Sequence, residues 1–180
     1  MGTIRPCERV KLFCGILGRE MRTIESALDR LEQLAGPTDY CSLPVRFDFT
    51  DYYEAEMGPD LLRVFVSFER GIDPEDLREI KIATNNVEAE IAQHRRLDGM
   101  ARRPVNLDPG FLSLHSVVLA STKNFQHRIP VGKGIYLEQE MFFTRKEARF
   151  LPWTYPDYQS PEYVEIFRQI REIARSRTGP

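Results

Sequence analysis

Val10-Lys11-Leu12-Phe13-Cys14-Gly15-Ile16-Leu17-Gly18 is apolar but for one lysine and closes on a glycine, which is how a strand buried in a sheet reads. Directly behind it, Met21, Ile24, Leu28, Leu31 and Ala35 recur at helical spacing. Gly36-Pro37 ends that pattern, because glycine tolerates the left-handed cap and proline cannot continue the helix. The chain therefore begins as a strand followed by an amphipathic helix.

Two runs of period two come next. Val45, Phe47 and Phe49 alternate with Arg46, Asp48 and Thr50, and Leu62, Val64, Val66 and Phe68 alternate with Arg63, Ser67 and Glu69. Alternation turns one side of a strand to a core and the other to water, so both strands are expected to be half-buried. Asp73-Pro74-Glu75-Asp76 reads as a helix start, with a capping oxygen, a proline where the missing N–H costs nothing, and carboxylates in the first turn. Leu77, Ile80, Val87 and Ile91 then share one face of a helix that ends near Arg95-Arg96, and Pro104 to Leu107 supplies a fourth strand. Strand, helix, strand, strand, helix, strand is the order of a ferredoxin-like sandwich, with its helices on one face of an antiparallel sheet.

Leu114, Val117 and Val118 fit a helix capped by Ser113 and a buried strand equally well. Arg128 to Val131, Gly134 to Phe143 and Arg149 to Leu151 read as strands, the first two joined at Gly132-Lys133-Gly134. Ser160-Pro161-Glu162 opens a last helix that buries Tyr163, Phe167, Ile170 and Ala174. The expected fold class is α+β: a ferredoxin-like βαββαβ core with a C-terminal β-rich extension and a closing helix, in one domain over residues 1–180.

Composition narrows the function classes. At 180 residues, 42% hydrophobic and 29% charged, the chain is long enough for one well-buried core. A formal net charge of -2 gives no global basic field, so DNA is not an expected partner and any RNA contact must be a local patch. Cys7, Cys14 and Cys41 are odd in number and show no C-x-x-C spacing, which argues against a disulfide framework and for reduced, mostly buried thiols. No segment reaches membrane-spanning length, Arg5, Pro6, Glu8 and Arg9 stand where a signal peptide needs an apolar run, and Pro6 stands where a myristoylation motif wants Ser or Thr. The expected location is the cytoplasm, with no membrane partner.

Between Asn106 and Gly134 the chain gathers Asn106, Asp108, Ser121, Thr122, Lys123, His127, Arg128 and Lys133 beside predicted turns. Lys123, His127, Arg128 and Lys133 offer charge-assisted donors for a phosphate or carboxylate; equally, His127 and Arg128 could tie down a turn and leave Lys123 and Lys133 in solvent. Asn106 and Asp108 precede Pro109-Gly110, where an Asx-type turn is the plainer use. The sharper use makes Asp108 a metal ligand or base, with Asp48, Asp51 or Glu138 as partners. Tyr52, Tyr53, Trp153, Tyr155 and Tyr158 surround Pro-rich turns and would suit either a stacking wall or a segment pinned across the domain. Ser121 and Thr122 near His127 lack the G-x-S-x-G elbow of a nucleophile, and no H-x-x-x-H, H-E-x-x-H or cysteine cluster invites zinc. Arg95, Arg96, Arg102 and Arg103 cluster around Asp98-Gly99, as an RNA contact or as a solvated loop after a helix.

Five signatures, Phe47-Asp48-Phe49-Thr50-Asp51-Tyr52-Tyr53, Asn106-Leu107-Asp108-Pro109-Gly110, Leu119-Ala120-Ser121-Thr122-Lys123, His127-Arg128-Ile129 and Pro152-Trp153-Thr154-Tyr155-Pro156-Asp157-Tyr158, together resemble a prokaryotic family, domain of unknown function 4416. The resemblance spans nearly the whole chain and implies no particular activity; a GTP-binding label is attached loosely to some members. The residues support that label poorly, because no G-x-x-x-x-G-K-[ST] loop is present and Phe125 stands where Thr122-Lys123-Asn124 would need an Asp to read guanine. The functional expectation is a phosphate-bearing ligand, a nucleotide or RNA end, held by Asp51, Asn106, Asp108, Lys123, His127, Arg128 and Glu138. Mg²⁺-assisted phosphoester chemistry is the catalytic extension of it, with no catalytic residue assigned. The alternative is a noncatalytic protein- or RNA-interaction module that uses the aromatic, Pro-rich segment.

Overall fold

The computed structural model describes residues 2–96, 102–145 and 147–177. Its elements are β1 (Lys11–Gly18), α1 (Met21–Ala35), β2 (Thr38–Cys41), β3 (Val45–Phe47), α2 (Glu54–Met57), β4 (Leu61–Phe68), α3 (Leu77–Arg96), β5 (Val105–Leu112), β6 (Ser116–Ser121), β7 (Ile129–Gly132), β8 (Ile135–Phe143), β9 (Ala148–Phe150) and α4 (Pro161–Arg177). Among the described residues the nine strands form one sheet, in the order β2-β4-β1-β5-β6-β8-β7, with β3 also on β4 and β9 on β8. All the pairings are antiparallel, so the chain is α+β with a large antiparallel sheet.

β1 is central and buried at every residue, as its apolar run requires. Its alternate side chains enter different cores. Leu12, Cys14 and Ile16 pack with Ile24, Ala27, Leu31, Leu77 and Ile91 under α1 and α3, whereas Phe13 packs with Phe65, Tyr163, Phe167 and Ile170 beneath α4. Burying each such Leu, Ile or Phe is worth roughly 1.5–3 kcal/mol, so both helical layers are held mainly by this alternation. The closing helix thus covers the face opposite α1 and α3, and the helices do not share one side of the sheet.

β4 is buried on both faces, Arg63 and Ser67 included, because α4 covers the side read as polar. β3 stops at Phe47, and the Thr50 hydroxyl accepts from the Tyr52 N–H to start a 3-10 turn over Asp51–Tyr53. β2 is an edge strand that the polar Thr38–Cys41 sequence did not announce. Asp73 places no side-chain cap on the turn before α3; its carboxylate lies 3.9 Å from Arg9 instead. The ambiguous 114–118 stretch is settled as β6, with Ser113 accepting from the Ser116 N–H in the connecting turn. Of the three free thiols only Cys14 is buried; Cys7 and Cys41 are exposed.

The largest correction concerns Asn106 to Gly110. These residues form no turn but run through the interior of β5, paired along their length with β1. Gly110 is obligatory there, since a Cβ would stand 2.4 Å from the Val118 carbonyl and 2.5 Å from the Phe13 ring. On its other side β5 pairs with β6 only from Gly110 to Leu112. Below that point the strands part, and α3 takes over the exposed edge: the Leu107 N–H donates to Glu88 Oε1 (2.8 Å) and Lys81 Nζ donates to the Leu107 carbonyl (2.7 Å). By the period of two, the nitrogen of Pro109 points the same way as that of Leu107, so the proline sits where the ladder ends and lacks little by having no N–H. No helix among the described residues is long and apolar enough to cross a membrane.

Candidate functional site

A cavity of about 510 Å³ lies where β5 and β6 diverge. Asn106 and Asp108 reach it from β5, Leu119 to Ser121 from β6, Lys81 and Asn85 from α3, and Arg63 from β4. Phe47, Phe49, Tyr52 and Tyr53 close one wall, and Tyr155 to Tyr158 another. The volume and the mixture of aromatic walls with a few convergent polar groups are those of a small-molecule site.

Its floor is ionic. Arg63 is buried, and its Nη1 donates to Asp108 Oδ2 at 2.8 Å; Asn106 Nδ2 donates to the same oxygen at 2.7 Å. Arg63 faces Leu17 of β1, but its guanidinium reaches over the next pair in the register, Gly15 with Phe65, and fits because a Cβ on Gly15 would stand 3.0 Å from Nη1. Phe47 lies under the guanidinium at 5.4 Å, a cation–π contact. Arg103 bonds Asn106 and, at 3.0 Å, Glu88. Burial disfavours the ionised form of Asp108, but Arg63 and Lys81 outweigh it and hold the carboxyl below the usual carboxylate range. Glu88 shows the opposite balance: burial raises it against Lys81 and Arg103. The floor is also incompletely satisfied, since Arg63 Nε and the hydroxyls of Tyr158 and Tyr163 make no hydrogen bond of good geometry.

At the rim, Lys123 is exposed, its ammonium 4.0 Å from the Tyr52 ring centroid and without an ion pair among the described residues. Glu138 lines the cavity too, but its Oε2 is held by His127 Nε2 and Arg128 Nε, each at 2.9 Å. Arg128 spends the rest of its guanidinium on the Ser121 hydroxyl, the Lys123 carbonyl and the Tyr155 hydroxyl. Ser121 is thereby committed to a turn and faces no base. His127 lies in a neighbouring hollow, stacked on Trp153 at 5.1 Å.

Of the residues singled out from the sequence, the structure brings Asn106, Asp108, Lys123 and Glu138 into one cavity. It sets His127 and Arg128 in the adjoining hollow, behind Glu138. Asp51 is exposed and its neighbours Thr50, Tyr52 and Tyr53 line the cavity without it, while Asp48 lies exposed near Arg46. Among the described residues no three His, Cys, Asp or Glu side chains form a metal-holding group. Tyr53 and Tyr155 are wall, Tyr158 is both wall and buried core, and Lys133 pairs with Glu79 away from the cavity. Asp98 and Gly99 lie outside the described residues; Arg103 turns into the cavity rather than a solvated loop.

The sequence did not point to Arg63, Lys81 and Asn85 as site residues, and it placed Arg103 in a basic cluster after a helix rather than in the cavity. One signal for Arg63 was present: Val64-Phe65-Val66 breaks the alternation, which means both faces of β4 are covered and a charge beside them is buried.

The sequence matches the family described as domain of unknown function 4416 (DUF4416) over residues 8–173. The chain belongs to this family. No curated protein and no solved structure matches it. Four of the five signatures that mark the resemblance to DUF4416 contribute cavity-lining residues; the fifth, His127-Arg128-Ile129, stands next door.

Proposed function

We propose that the cavity binds a small phosphate-bearing ligand with an aromatic ring, a nucleotide or the terminal nucleotide of an RNA. The observation that carries this reading is the meeting of Asn106, Asp108 and Lys123 in a cavity walled by tyrosines and phenylalanines. A heterocycle would lie between the aromatic walls, its N–H edge toward Asp108, whose two protein bonds both go to Oδ2. The phosphate would sit at the rim on Lys123, a lining cation that is exposed and has no ion pair among the described residues, whereas Lys81 is buried on the Leu107 carbonyl. This replaces the three-residue cationic grip expected from sequence, because Arg128 and His127 are already spent on Glu138. The reading stops at binding. The carboxylates that metal-assisted phosphoester chemistry would use are committed, Asp108 to Arg63 and Glu138 to Arg128.

The same proposal extends to fold and place. The order β5-β1-β4-β3, antiparallel throughout, with α1 and α3 packed on one face, supports a ferredoxin-like unit at the centre of the sheet, enlarged by β6 to β9 and covered by α4. A cytoplasmic location suits a ligand of this class.

A thermal-shift screen of nucleosides against nucleoside mono-, di- and triphosphates, with and without Mg²⁺, tests the reading. Phosphorylated compounds should raise the melting temperature by several degrees at millimolar concentration, and the parent nucleosides by less. No shift with any of them would defeat it.

A further inference from the structure

The cavity does not end at Lys123. A second hollow begins there, and the two share Lys123 and Tyr155. It is lined besides by Phe125, His127, Pro152 and Trp153, above Arg128. Its rings form a built platform: His127 stacks on Trp153 with planes 10° apart, and Phe125 meets His127 edge-on at 5.3 Å. The platform is fixed, since Trp153 Nε1 donates to the Gln139 carbonyl at 2.9 Å and His127 is held by Glu138. It is also open to solvent, with Phe125 58% and Trp153 38% exposed. Rigid, wet aromatic faces lose little entropy when a flat partner stacks on them.

Charge decides the kind of partner. Among the described residues no carboxylate lines the hollow, and its charged side chains are Lys123 and Arg128. Glu138 neutralises Arg128 from behind, which leaves Lys123 as the cation between the deep cavity and the platform. One cation flanked by two aromatic pockets matches a phosphodiester flanked by two bases.

Resting on the nucleotide reading of the deep cavity, we infer that the ligand is the end of a single-stranded oligonucleotide. The terminal nucleotide enters the cavity, its phosphodiester crosses at Lys123, and the next base stacks on the Trp153 and Phe125 platform. Phe125, His127 and Trp153 are then binding residues, although none of them lines the cavity.

Trp153 is the chain's one tryptophan, so its fluorescence reports the platform alone. The full chain is titrated with AMP, with riboadenylate and deoxyadenylate pentamers, and with a proline-rich decapeptide. The pentamers should quench Trp153 and bind at least about tenfold more tightly than AMP, the size expected for one added stacked base. Phe125→Ala, at an exposed position, should weaken the pentamers about fivefold or more and leave AMP unchanged. A riboadenylate preference assigns the site to RNA, and equal affinities assign it to either nucleic acid. Pentamers that bind no better than AMP and leave Trp153 unquenched would remove the platform from the site while the cavity reading stands. Binding of neither would sink the nucleotide reading itself. Quenching by the peptide alone would make the platform a protein-docking surface and overturn the inference.

Discussion

Two ion pairs border the same cavity at nearly the same distance, Arg63 with Asp108 at 2.8 Å and Arg128 with Glu138 at 2.9 Å, yet they are built differently. Arg128 is saturated: Nε, Nη1 and Nη2 all donate to protein groups that span β8, the 121–123 turn and the 152–158 segment. Arg63 is buried more deeply and bonded less, with Nη1 on Asp108 and Nε without a good partner. A saturated pair staples loops together. An unsaturated buried pair is an expensive way to hold a fold, because a hydrophobic replacement would serve as well, so its place in the cavity floor points to recognition. That contrast separates the two halves of the polar stretch which the sequence presents as one cluster.

The same charge change made in each pair should have unequal effects. Asp108→Asn leaves the Arg63 guanidinium buried without its counter-ion and should destabilise the protein by about 3 kcal/mol or more in urea unfolding. Glu138→Gln leaves Arg128 with its other three bonds and should cost about 1–2 kcal/mol. The reverse order would mean that the second pair, and not the first, is the buried one in energetic terms.

A third carboxylate sharpens the contrast. Glu140 is fully buried beside Glu138, accepts the Tyr155 N–H on Oε2 and has no partner for Oε1. Burial pushes it up to about 8. Its folded value lies above its unfolded one, so the native state holds the extra proton between roughly pH 4.5 and 8, and stability falls as pH rises through that window. Glu140→Gln removes the titrating group. The variant should match the wild type near pH 4 and exceed it by about 2–4 kcal/mol at pH 9, read from unfolding midpoints across pH. Parallel curves for the two proteins would show that Glu140 is ionised in the fold.

How much of this could be read in the residues differs by element. α1, α3 and α4 follow from periodicity because each packs a regular stripe on a core, β1 follows from its continuous apolar run, β4 from an alternation that hid its second buried face, and the β7–β8 hairpin from Gly132-Lys133-Gly134, all three at positive φ. Asn106 to Gly110 misled because Asn, Asp, Pro and Gly are turn formers by local chemistry. Tertiary demands override that chemistry here: Gly110 admits β6 and Phe13, Pro109 sits where the ladder stops, and Asn106 and Asp108 face a cavity. The Arg63–Asp108 contact joins positions 45 residues apart and rests on Gly15 for space, a relation that no local window contains. His127 and Arg128 look like ligand groups in sequence because their acidic partner, Glu138, lies across the hairpin.

Lys123 should matter least to the fold and most to the ligand. Calorimetric titration of AMP into the wild type and Lys123→Ala, with melting temperatures taken on the same samples, separates the two roles. Melting temperatures should be equal, within about 0.5 kcal/mol of stability, and the affinity at least about tenfold weaker in the variant. Unchanged AMP affinity in a variant that folds normally would contradict the binding role of Lys123.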